Sequence, residues 1–137
     1  MAGLPPGVVE RFRRDGAAPL RGIVSPSDIE ALRAGVDLLL AKPSPRAKDA
    51  SAANDPGQFF EDFCNWRDEP RFLRFVEGGP LAAAAAELMG ARAVRFYHDH
   101  VLVKQGGART PTPWHQDQPY YNIDGRQTVS FWIPLDQ

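Results

Sequence analysis

A single cysteine, Cys64, occurs in 137 residues, so no internal disulfide can form and the chain suits a reducing cytosol. Long hydrophobic runs are missing as well. The most apolar stretch, PLAAAAAELMG, is largely alanine and too short to cross a bilayer. The opening MAGLPPGVVERFRRDG carries prolines and charges where a secretory signal needs an apolar core. These absences give a cytoplasmic location as the expectation and argue against a membrane partner. Neither sign of charge is in excess: 16 Lys and Arg stand against 17 Asp and Glu, with the two interleaved. No basic stripe is available to nucleic acid, which removes that class of partner. Histidine is scarce too, with only His98, His100 and His115, so the places where it occurs carry information.

The residues that are present read as an ordinary globular chain. Hydrophobic residues make up 43% and charged residues 24%, enough for a modest core in a single domain spanning 1–137. The first part, 1–90, patterns mainly as helix. A short amphipathic helix is expected over Val8–Arg14, then an extended APLRGIV. A stronger helix opens at SPSDIEALRAGVDLLL, with Ser25 as N-cap, Pro26 in the first helical position and Asp28 near the positive end of the dipole. Ile29, Leu32, Val36, Leu39 and Leu40 recur along it at helical spacing. AKPSPRAKDASAANDPG has no periodicity and reads as a surface loop. Phe59, Phe60, Phe63 and Trp66 form an aromatic cluster, read as core packing of a helix or turn, with an aromatic substrate wall as the other possibility. Helices are expected again from Pro70 through Val76 and from Pro80 through Met89, each stopped by glycine.

After Gly90 the period changes. ARAVRFYHDHVLVK alternates in twos and is rich in β-branched and aromatic residues, which predicts a strand. QGGARTPTP is a loop and WHQDQPYYNI is extended. The DG pair at 124–125 signals a tight turn, and RQTVSFWIPLD predicts a second strand. Helices thus come first and strands after, an α+β arrangement.

The chemistry concentrates in PTPWHQDQPYY. On a strand, His115 and Asp117 would point to one face, roughly 6–7 Å apart at the backbone. An imidazole and a carboxylate so placed can converge on a divalent first-row metal. With one further histidine they complete the facial triad of non-haem Fe(II) oxygenases. The same pair can equally be a hydrogen-bonded surface couple. HDH at 98–100 offers a rival arrangement in which His98, His100 and His115 hold zinc.

PTPWHQDQPYYNIDGRQTVSFWIPLD, preceded by HDHVLVK, resembles the iron- and 2-oxoglutarate-dependent dioxygenases of the phytanoyl-CoA dioxygenase family. The order of parts matches: a strand, a proline-rich loop, W-H-Q-D followed by tyrosines, a turn, and a strand ending in W-x-P-L-D. The opening RDGAAPLRGIVSPSDIEALRAGVD also looks like the family's N-terminal strand and helix. The resemblance implies a double-stranded β-helix, a jelly-roll barrel of cupin type with helices on one side, whose first strands lie in 91–137. It implies Fe(II) as cofactor, with 2-oxoglutarate and O2 as co-substrates. Oxidative decarboxylation to succinate would be coupled to hydroxylation of a C–H bond in a small organic substrate. His115 and Asp117 would be iron ligands. Trp132, His100 and Lys104 would border the 2-oxoglutarate pocket, and Tyr120 and Tyr121 the substrate mouth. For Trp132 a core role, and for His100 a satisfied strand histidine, stand beside these assignments. Lys104 or Arg109 could instead meet an anionic substrate.

The family pattern also has a distal histidine and an arginine for the 2-oxoglutarate carboxylate. No histidine follows His115 here, and the last arginine is Arg126. The expectation is therefore an N-terminal portion of a dioxygenase, inactive by itself, with a non-catalytic fragment or barrel-like binding module as the alternative.

Overall fold

A computed structural model describes residues 3–136, so the outermost positions of the expected 1–137 domain, 1, 2 and 137, lie outside the described residues. Helices and a small antiparallel sheet make an α+β chain: α1 (Val8–Asp15), α2 (Pro26–Ala41), β1 (Lys48–Asp49), β2 (Phe59–Phe63), α3 (Pro70–Gly78), α4 (Leu81–Met89), β3 (His100–Lys104) and a 3-10 turn at Gln118–Tyr120. It divides into two compact units that interleave along the sequence. One holds the residues up to Gly35, Trp66–Tyr97 and those from Gln127 onward; the other holds Val36–Asn65 and His98–Arg126.

The first unit is helical, and its boundaries follow from local chemistry. Ser25 Oγ accepts from the Asp28 N–H at 3.1 Å and donates to the Asp28 carboxylate at 2.6 Å, satisfying an orphan donor at the start of α2. Glu69 caps α3: its side chain accepts from the Arg71 N–H at 3.0 Å, with Pro70 in the first turn. Gly90 ends α4 in the left-handed conformation, φ 63°, which an L side chain rarely adopts. α4 packs against both α1 and α3. Leu32, Phe72, Phe75, Ala84, Ala85 and Leu88 form the buried core. A side chain at Gly35 would run into the Phe72 ring, so the glycine is what lets the Phe72 ring pack against this turn of α2.

The second unit is built on the sheet β1-β2-β3, antiparallel throughout. Phe59, Glu61 and Phe63 pair with Lys104, Leu102 and His100, so all six share one face, while Phe60 and Asp62 share the other with Val103 and Val101. Asp62 is fully buried. It accepts from Ser44 N–H at 2.9 Å, Ser44 Oγ–H at 2.5 Å and the Phe63 N–H at 2.8 Å.

The structure differs from the sequence expectation in its strands, β1 among them, which lies within the stretch read as a surface loop. The aromatic cluster at 59–63 is the central strand β2, not a helix or turn, and Cys64, at φ 56°, ends it. Within the strand expected over 91–104, only His100–Lys104 pairs. Neither 114–123 nor 126–136 is a strand among the described residues. Pro111, Pro113, Pro119 and Pro134 offer no N–H, which weakens any ladder there. Because 126–136 forms no strand, the hairpin expected at 124–125 does not form.

Candidate metal centre

Although His115 and Asp117 do not lie on a strand, their side chains meet. The chain turns at Asp117 (φ −70°, ψ −31°), which starts the 3-10 turn: Tyr120 N–H donates to the Asp117 carbonyl at 2.9 Å. The turn swings the carboxylate back toward the imidazole and brings His115 Nε2 to 3.3 Å from Asp117 Oδ1. Two ligands held about 2.0–2.2 Å from one metal at right angles stand roughly 3 Å apart, so the spacing suits a shared ion. Both side chains are partly open to solvent, 39% and 49% exposed, which leaves room for further ligands.

Their neighbours orient both groups. His115 Nδ1 lies 2.8 Å from the Pro113 carbonyl. A carbonyl only accepts, so Nδ1 donates to it, and Nε2 is the ring nitrogen that faces Asp117. The Tyr121 hydroxyl donates to Asp117 Oδ2 at 3.3 Å, leaving Oδ1 for the imidazole side. Tyr120 sets its ring edge-on to His115 at 6.0 Å, and Tyr121 does the same to His98 at 5.6 Å. The tyrosine pair therefore lies against the histidines themselves.

His100 projects from β3, stacked on Phe63 at 4.0 Å, with Nε2 3.7 Å from Glu61 Oε1. Burial pushes its pKa down, more than the Glu61 carboxylate pushes it up; Asp99 and Asp117 also act upward and His98 downward. The folded chain thus favours neutral imidazole, and the unfolded chain takes up the proton first. This contribution to stability is complete above about pH 6.5, the ordinary histidine value, and is lost as the pH falls through the lower folded-state value. In urea unfolding measured from pH 7 to pH 5, His100→Gln should show a shallower fall in stability than the wild type. An unchanged slope would mean that His100 is not the group responsible.

Lys104 directs its ammonium to the Thr110 carbonyl at 3.0 Å and Thr112 Oγ1 at 3.2 Å, over the Phe59 ring at 4.4 Å. Arg109 donates its backbone N–H to Asp55 at 3.0 Å. Trp132 belongs to the first unit and is 79% exposed. With Phe12, Leu20, Ile23, Leu88 and Phe131 it lines an open apolar groove of about 630 Å³. Among the described residues no group of three His, Cys, Asp or Glu is close enough to hold a metal. This removes support from a zinc site of His98, His100 and His115 and leaves His115–Asp117 as a pair. Sequence reasoning missed three parts of this site: Glu61, the Pro113 carbonyl and the hold of Tyr121 on Asp117. Glu61 was hidden because β2 was not read as a strand; the other two depend on a turn that nothing in the residue pattern announces.

The Phytanoyl-CoA dioxygenase (PhyH) family model matches residues 12–137. No curated protein and no solved structure gives a significant match. The family consists of oxygenase-type enzymes that generally depend on Fe(II) and 2-oxoglutarate. Its match runs through both compact units and takes in the His115–Asp117 pair, and the chain therefore belongs to the phytanoyl-CoA dioxygenase family.

Proposed function

We propose that the protein is a non-haem dioxygenase that uses Fe(II), 2-oxoglutarate and O2 to hydroxylate a small organic substrate, with His115 Nε2 and Asp117 Oδ1 as two of the iron ligands. One observation carries this reading: the 3.3 Å convergence of those two atoms, with the other imidazole nitrogen committed to Pro113. When bound, the iron supplies the redox chemistry that couples decarboxylation of 2-oxoglutarate to oxidation of a C–H bond.

The chain's own residues bind and orient. Pro113 engages His115 Nδ1, which leaves Nε2 as the nitrogen turned to the metal. Tyr121 holds one carboxylate oxygen of Asp117 and leaves the other for the metal. Tyr120, 74% exposed beside His115, forms an aromatic wall at the mouth where a substrate would enter. The face of the sheet that carries His100, Leu102 and Lys104 borders the co-substrate in this reading. A small organic molecule is the partner class.

The reading is tested by incubating the full-length protein with Fe(II), 2-oxoglutarate and O2 and measuring succinate. Iron-dependent succinate formation that disappears in Asp117→Ala supports it. Metal-independent behaviour in both proteins favours a non-catalytic binding module, in which His115 and Asp117 are an ion pair.

A further inference from the structure

Asp55 lies in the loop before β2, and a single carboxylate oxygen, Oδ2, accepts three hydrogen bonds. They come from the Arg109 N–H at 3.0 Å, the Thr110 N–H at 3.0 Å and the Thr110 hydroxyl at 2.9 Å. Thr110 in turn engages every polar group it has. Its Oγ1 also accepts from the Ala52 N–H at 2.9 Å, and its carbonyl accepts from Lys104 Nζ at 3.0 Å. The two loops touch at their backbones: a side chain at Gly57 would collide with the Gly106 carbonyl and the Ala108 N–H, and Gly107 takes φ 94°. The segment leading to the metal pair is thus gripped from the loop before β2 and from the end of β3.

Beyond this grip the chain is stiff. Pro111 and Pro113 have fixed φ, and Thr110 and Thr112, each preceding a proline, are held out of the helical region. Lys104 adds a bond to Thr112 Oγ1 at 3.2 Å. At the far end of this strut, the Pro113 carbonyl holds His115 Nδ1. A shift at Thr110 is therefore passed along 111–113 to the Pro113 carbonyl that the imidazole meets.

We propose that Asp55, acting through Thr110 and the 111–113 strut, is a positioning residue that sets where His115 presents Nε2 beside Asp117. The inference rests on the reading of that pair as metal ligands. Asp55 touches neither group, so its influence is mechanical, carried by charge-assisted bonds to one oxygen.

The test compares wild-type chain with Asp55→Ala, Asp55→Asn and Thr110→Val. Deuterium exchange of the metal-free proteins is read on peptides covering 108–117, and Mn(II) alone is titrated by electron paramagnetic resonance. Asp55→Ala should raise exchange across 108–117, leave β2 and β3 at wild-type exchange, and weaken Mn(II) binding roughly tenfold, as loss of an outer support does for a metal ligand. Thr110→Val, nearly isosteric, should weaken it less. Asp55→Asn keeps an oxygen acceptor in place and should restore most of both properties. Wild-type exchange in Asp55→Ala overturns the proposal, and so does raised exchange with wild-type Mn(II) affinity. Equal losses in the Asn and Ala variants would reduce Asp55 to a distant charge and also overturn it. Should Asp55→Ala fail to fold, Thr110→Val decides, and wild-type affinity there counts against the proposal. Failure of the ligand reading looks different: Mn(II) binding unmoved by Asp117→Ala in an otherwise wild-type chain removes both.

Discussion

Asp117→Ala is expected to lower Fe(II) affinity by at least about a hundredfold, measured by anaerobic titration, since loss of an outer support alone costs roughly 10–100-fold. Asp117 is the anionic member of the pair, and its Oδ1 is the oxygen that faces His115 Nε2. Removing it leaves one imidazole and water, a poor competitor with bulk solvent for a divalent ion. Asp117→Asn separates two roles. It keeps an acceptor for the Tyr121 hydroxyl but loses the charge and one metal-binding oxygen, so it should behave much as the alanine variant does. Wild-type affinity in Asp117→Asn would mean that the carboxylate only anchors Tyr121. His115→Ala should match Asp117→Ala, because either change dissolves the chelate.

The second large effect is on stability. Asp62→Ala should destabilise the fold by about 3 kcal/mol in urea unfolding, given roughly 1–3 kcal/mol for each buried donor left without an acceptor. Ser44 N–H, Ser44 Oγ–H and the Phe63 N–H all end on this one carboxylate, which is 0% exposed. Such a loss is a large share of a domain's usual stability of about 5–15 kcal/mol. Burial pushes the Asp62 pKa up, but the donors around it, the Asn65 amide foremost, outweigh this and hold it below the usual carboxylate value. The Asn65 Nδ2 acts here mainly through proximity, since it completes no hydrogen bond of standard geometry. The stabilisation is therefore present above about pH 4, the ordinary carboxylate value, and is lost as the pH falls through the lower folded-state value. A stability loss below about 0.5 kcal/mol, the range of plain surface changes, would contradict this role for Asp62.

Helices were legible in the sequence because their ends announce themselves. Ser25-Pro26 and Pro70 mark starts, and Gly79 and Gly90 mark stops, through chemistry local to each cap. β2 was not legible. FFEDF shows no alternation, since Phe59 and Phe60 are buried on opposite faces of a central strand and Asp62 is a carboxylate turned inward. Two of the donors that make that burial tolerable come from its long-range partner Ser44, and no short window of sequence contains those bonds. The metal pair was legible by spacing, but the convergence arises differently. A 3-10 turn at Gln118–Tyr120 brings the side chains together where a strand was expected. Extended, proline-punctuated sequence at 111–121 fits both descriptions until the hydrogen bonds are known.

The central claim, a chelate of Fe(II) by His115 and Asp117 that accepts 2-oxoglutarate, is tested most directly by one spectrum. Under nitrogen, the full-length protein with Fe(II) and 2-oxoglutarate should develop the visible metal-to-ligand charge-transfer band of a chelated 2-oxo acid, and its Asp117→Ala and His115→Ala variants should not. A band that persists in both variants, or metal bound with no band on adding 2-oxoglutarate, would contradict the account.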